Sequence, residues 1–70
     1  MANNFSFTPD RVKAIRFGMG LTQKDFAERL GAATSTIAAW ETGQQAPRRG
    51  PHIKALIDAE RAVEEAAGVA

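Results

Sequence analysis

Apolar residues recur at three- and four-residue intervals in four stretches of the chain, and glycines, prolines and polar turns separate them. In the first stretch Val12, Ile15 and Met19 share a helical face, with Phe17 beside it. Thr8 is placed to cap this helix, Pro9 suits its first position and Asp10 complements the dipole. Phe7 and Val12 are spaced as a hydrophobic staple. Gly18 and Gly20 are expected to end the helix, which then runs over about 9–18.

The second helix starts more clearly. Thr22 caps it, Asp25 takes the reciprocal position of a capping box, and Leu21 and Phe26 form another staple. Phe26, Ala27 and Leu30 line its apolar face, Lys24, Glu28 and Arg29 face water, and Gly31 closes it. A third helix over about 34–42 carries Ile37 and Trp40 on one face, with Glu41 adjacent and Gly43 as the stop. The loop at 44–50 holds Pro47 and two arginines, after which Pro51 opens a fourth helix over about 51–67. Ile53, Leu56 and Ile57 form its core face, and Ala59, Val63, Ala66 and Ala67 continue it as a stripe of small residues. No strand pattern appears. The expected fold is all-α, a compact bundle of four to five helices in a single domain (8–67) behind a loose arm (1–7).

Seventy residues are near the lower limit for a free-standing core, and small domains usually need disulfides, a metal or oligomerisation. The chain has no cysteine and one histidine, His52, so neither a disulfide nor a metal or other cofactor is implied. Oligomerisation is the stabiliser left to expect. No apolar run approaches membrane-span length, and residues 1–7 are too short and polar for a signal peptide, so the expected location is cytoplasmic. The chain lacks Cys, Tyr, a Ser–His pair, a glycine-rich phosphate loop and carboxylates spaced on a shared face, which argues against an enzyme. The net charge of +1 hides an uneven distribution. Residues 1–54 hold eight Lys/Arg against four Asp/Glu, whereas residues 55–70 hold Arg61 against Asp58, Glu60, Glu64 and Glu65. A basic body with an acidic tail suits a polyanion on one side only.

Thr22–Gln23, Ala27, Gly31, Ile37, Trp40–Glu41 and Gly43 stand in an order and spacing that resembles the lambda-repressor and Cro-like helix-turn-helix family, also called the xenobiotic-response-element (XRE) family. The resemblance covers about residues 9–58. It implies that the third helix enters the major groove of DNA, with Thr34, Ser35, Ala38 and Ala39 as base-reading positions. Phosphate contacts are expected from Gln23 and Lys24 at the start of the second helix, Thr36 and Thr42 on the third, and Gln44, Gln45, Arg48 and Arg49 beyond it. The family also pairs an arginine of the first helix with the glutamate after the aromatic position, here Arg16 with Glu41. Such a pair would orient the third helix against the first.

Two departures from the family pattern stand out. Ala33 occupies the place of a Ser or Thr cap, unless Thr34 takes that role and the helix starts one residue later. The reading positions contain no Arg, Asn or Gln, the residues that make bidentate base contacts, so direct readout is expected from hydroxyls and methyls, and much of the specificity from phosphate geometry, DNA shape, or Gln44 and Gln45.

The expected function is a small, sequence-specific transcriptional repressor of the phage or mobile-element type, often autoregulatory. It resembles Cro-like regulators, restriction-system controllers and repressors paired with anti-CRISPR genes. A homodimer through Ala59, Val63, Ala66 and Ala67 would match a palindromic operator with half-sites about 34 Å or a multiple apart. The alternative is an antitoxin that binds a toxin partner, since residues 5–15 also resemble the entry to antitoxin DNA-binding domains.

Overall fold

The computed structural model describes residues 7–68, and these form four helices: α1 (Pro9–Met19), α2 (Gln23–Leu30), α3 (Thr34–Thr42) and α4 (Gly50–Gly68). No strand occurs among the described residues. The proposed arm lies outside them except for Phe7, and there the expectation is corrected. Phe7 is 4% exposed and belongs to the same buried cluster as Val12, the residue it is spaced to staple.

The caps set the helix starts. Thr8 Oγ1 accepts from Arg11 N–H at 3.2 Å, and Thr22 Oγ1 accepts from Asp25 N–H at 3.1 Å. The α2–α3 turn is closed by Gly31, whose φ of 71° suits a residue without a Cβ. Gly31 N–H bonds to Glu28 O and Ala32 N–H to Ala27 O, the paired bonds of a Schellman stop. The same pair of bonds closes α1 at Gly20. Gly18 does not help to end α1, contrary to expectation: it lies within the helix, two residues before the stop. Ala33 occupies the N-cap position of α3 with extended backbone and no side-chain bond, so Thr34 is the first helical residue and not the cap.

Helix α1 packs on α3 and α4, and α2 packs on α3. Val12, Phe26, Ile37 and Leu56 are the largest fully buried side chains, one from each helix. Each contributes roughly 2 kcal/mol by leaving water. Leu21, Leu30, Ile53 and Ile57 are half-buried against this centre. Phe17, expected beside the apolar face of α1, points outward and is 65% exposed.

Helix α4 is tied to α1 twice. Arg11 forms a forked pair with Glu60, at 2.7 Å from Nε to Oε2 and 2.6 Å from Nη2 to Oε1. The Arg11 guanidinium also lies 4.2 Å over the Phe7 ring, a cation–π contact. Val63 packs directly on Gly18. This changes the reading of the α4 stripe. Ala59 is buried in the protomer core and Val63 is half-buried against α1, so of the dimer candidates only Ala66 and Ala67 remain exposed.

Candidate nucleic-acid interface

Helix α3 has two distinct sides. Ile37, Trp40 and Glu41 point inward and are buried. Ser35, Ala38, Ala39 and Thr42 stand at the i, i+3, i+4 and i+7 spacing of the opposite face, with Thr34 beside them at the N-terminus. Thr34, Ser35 and Thr42 are exposed, whereas Thr36, Ala38 and Ala39 are half-buried. The outward face is therefore low in relief, with hydroxyls at both ends and methyls between them. Thr42 Oγ1 is engaged locally, donating to Ala39 O at 3.3 Å.

A fixed network sets the angle of this helix. The Arg16 guanidinium forks onto Glu41, at 2.7 Å from Nε to Oε2 and 3.0 Å from Nη2 to Oε1. Its Nη1 donates to Leu21 O at 3.0 Å, in the α1–α2 turn. The pair therefore joins α1, the turn and α3, and the Glu41 side chain is only 2% exposed. Burial pushes the Glu41 carboxyl up, but hydrogen bonds from Arg16 and Gln23 and the nearby positive charge outweigh it. The group stays below the usual carboxylate range. Arg16, bonded to that carboxylate, is held still more firmly as a cation.

Gln23 is placed differently from a free phosphate ligand. Its Nε2 donates to Glu41 Oε1 at 3.2 Å, so part of its hydrogen-bonding capacity is used inside the protein. Lys24, next in α2, is exposed. Beyond α3, Gln44, Gln45, Arg48 and Arg49 are all exposed on the α3–α4 loop, while Pro47 between them is buried and anchors it. The loop and the side of α3 carrying Ala33 and Thr36 enclose an open groove of about 800 Å³ with Trp40 and His52 in its wall. His52 meets the buried Trp40 edge-on, with ring centroids 5.2 Å apart.

Three of these relationships were not read from the sequence. The Gln23–Glu41 bond joins residues 18 apart and the Arg11–Glu60 pair residues 49 apart. Neither has a local spacing rule to reveal it. The Gly18–Val63 contact did leave a trace: two glycines stand two residues apart at the end of α1, and only one of them can be the left-handed stop.

Among the described residues no group of His, Cys, Asp and Glu is arranged to hold a metal ion. No described helix is long and apolar enough to cross a membrane. The geometry is thus a short helix with one open face, held by a buried ion pair, with cations and amides on α2 and on the α3–α4 loop. The helix-turn-helix family model matches residues 12–50, more than half of the chain. A comparison with curated proteins finds no match. The matched segment runs from Val12 in α1 to the first residue of α4, and so takes in the whole network around Glu41 and the complete α2–turn–α3 unit: the chain belongs to the lambda-repressor/Cro-like (XRE) helix-turn-helix family of DNA-binding transcriptional regulators.

Proposed function

We propose that the protein is a small repressor that occupies a palindromic promoter operator as a homodimer and regulates its own operon. The observation that carries this reading is the outward face of α3, which presents Thr34, Ser35, Ala38 and Ala39 away from the core in a chain with exposed donors on α2 and on the α3–α4 loop. Lys24 stands on α2 and Gln44, Gln45, Arg48 and Arg49 on the α3–α4 loop. With Gln23, Thr36 and Thr42 these groups contact phosphates and set the register, while the hydroxyls and methyls of α3 meet base edges. Threonine and alanine methyls suit thymine methyls, and the low relief of the face gives DNA shape a large share of the specificity.

Dimerisation supplies affinity that one small protomer lacks. The exposed Ala66 and Ala67 near the end of α4 are the surviving part of the small-residue stripe, and exposed Phe17 on α1 adds an apolar group able to join such an interface. Phe17 also favours a protein partner of another kind, which is the antitoxin reading. In that case the protein co-purifies with the product of a neighbouring gene and loses it when Phe17 is replaced by Ser.

The deciding experiment is a mobility-shift titration against the DNA upstream of the protein's own gene at two salt concentrations, with scrambled DNA as the control. Specific binding that weakens steeply with salt is expected. Equal affinity for scrambled DNA, or binding indifferent to salt, overturns the repressor reading.

A further inference from the structure

Glu41 is 4% exposed, so a large ligand cannot reach it directly. Gln23, by contrast, is half-buried in the first turn of α2, beside exposed Lys24. The two side chains are joined by the 3.2 Å bond from Gln23 Nε2 to Glu41 Oε1, and the same oxygen accepts from Arg16 Nη2 at 3.0 Å. A carboxylate has no hydrogen to donate, so only the NH₂ end of the Gln23 amide can face it. Turning the amide over would set its carbonyl oxygen against the carboxylate, two acceptors with no hydrogen between them. A glutamine free in solvent has no such preference and samples both orientations.

We infer that Glu41 is a positioning residue for DNA recognition, acting through Gln23: the buried carboxylate fixes the Gln23 amide in the free protein, leaving one Nε2 hydrogen and the carbonyl oxygen for DNA in a single arrangement. The inference deepens the DNA-binding reading above and rests on it. Ordering a long side chain on binding opposes affinity, and here the ordering is done before DNA arrives. The contact it offers is directional. Phosphate oxygens only accept, so they can use the remaining N–H and not the carbonyl beside it. Arg16 holds Glu41 in turn, so the ion pair that sets the angle of α3 also sets the aim of a side chain on α2.

Two measurements on the full chain test this. In the free protein, the NMR order parameter of the Gln23 side-chain amide is expected to match the helical backbone, whereas the amides of exposed Gln44 and Gln45 stay mobile. Equal mobility for all three overturns the inference. The second measurement is a double-mutant cycle on affinity for the upstream DNA, using Gln23→Ala and Glu41→Gln. Glu41→Gln is expected to weaken binding about tenfold when Gln23 is present and about twofold or less in the Gln23→Ala background. A role limited to holding the helices together gives the same factor in both backgrounds, and that result overturns the inference. The amide measurement needs no substitution, so it decides the matter if Glu41→Gln fails to fold. Failure of the unmodified chain to bind any DNA overturns the underlying reading as well, and is recognised by that control alone.

Discussion

Gly18 of α1 and Val63 of α4 pack so closely that a Cβ on Gly18 would lie 2.5 Å from Val63 Cγ1. No real carbon pair tolerates that separation, and Val63 is β-branched on a helix, where its χ1 has little freedom to turn away. Gly18→Ala sets two effects against each other. Alanine improves helix propensity by about 1 kcal/mol, whereas overpacking a close contact costs about 1–3 kcal/mol. The second effect wins, and urea unfolding is expected to show a net loss of about 1 kcal/mol. Adding Val63→Ala to the Gly18→Ala variant should recover most of that loss, because the new methyl then has room. Strictly additive effects of the two changes would show that the helices do not meet in this way.

The N-terminus of α3 offers the opposite case, a position where the sequence leaves stability unused. Ala33 has the extended backbone of an N-cap, and its carbonyl accepts from Thr36 and Ile37 N–H, but its side chain contributes no bond. Ala33→Ser places a hydroxyl within reach of the free N–H groups of the first turn. A gain of about 1 kcal/mol in unfolding free energy is expected. No gain would mean that those N–H groups are already satisfied by water as well as by a hydroxyl.

Much of this architecture is legible in the sequence because it is written locally. Thr8 and Thr22 act as caps, Gly20 and Gly31 as left-handed stops, and the apolar periods of α1, α2 and α3 bring Val12, Ile15, Phe26, Ala27, Ile37 and Trp40 into the core. Each of these is a rule about residues three or four apart. What escaped was either long-range or ambiguous. Phe17 sits next to the buried face of α1, where a single helical step of about 100° decides between core and solvent. Ala59 and Val63 look like an unpartnered stripe until the packing of α4 on α1 is known, and that packing joins residues too far apart in sequence, such as Arg11 and Glu60, for a local spacing rule to give it. At the interface, spacing identifies the outward face of α3 but says nothing of the Gln23 amide, whose bond to Glu41 exists only after α2 and α3 have packed.

The Arg16–Glu41 and Arg11–Glu60 pairs make the protein sensitive to acid, and the sign follows from their carboxylates. Glu60 is held below the usual range by the hydrogen bond from Arg11, against a smaller opposing effect of burial. Glu41 is pushed up by burial and pulled down further by Arg16 and Gln23. Both therefore bind protons less readily in the native state than in the unfolded chain, where a glutamate titrates near about 4.3. Their stabilisation is complete above that value and disappears as pH falls through the lowered native values. The urea midpoint is expected to drop as pH falls below about 4.3. The drop should be shallower in Glu60→Gln, which has one such carboxylate fewer. An identical acid profile for that variant would show that the Arg11–Glu60 pair contributes nothing in solution.

Arg48 and Arg49 test whether the α3–α4 loop supplies affinity while α3 supplies sequence preference. Both are exposed on a loop anchored by buried Pro47, so removing either guanidinium leaves the core untouched. A cation that neutralises one phosphate releases counterions on binding, and its loss lowers the slope of log affinity against log salt by about 0.9. Arg48→Ala and Arg49→Ala should each show that change and weaken upstream and scrambled DNA by a similar factor. Thr34→Val and Ser35→Ala remove hydroxyls from the outward face of α3 without altering charge. They are expected to leave the salt slope unchanged and to narrow the gap between upstream and scrambled DNA by about 1 kcal/mol or more for each lost base contact. If the arginine variants narrow that gap while the hydroxyl variants do not, the division of labour is reversed. The loop would then be reading sequence, and α3 would serve chiefly to hold the protein in the groove.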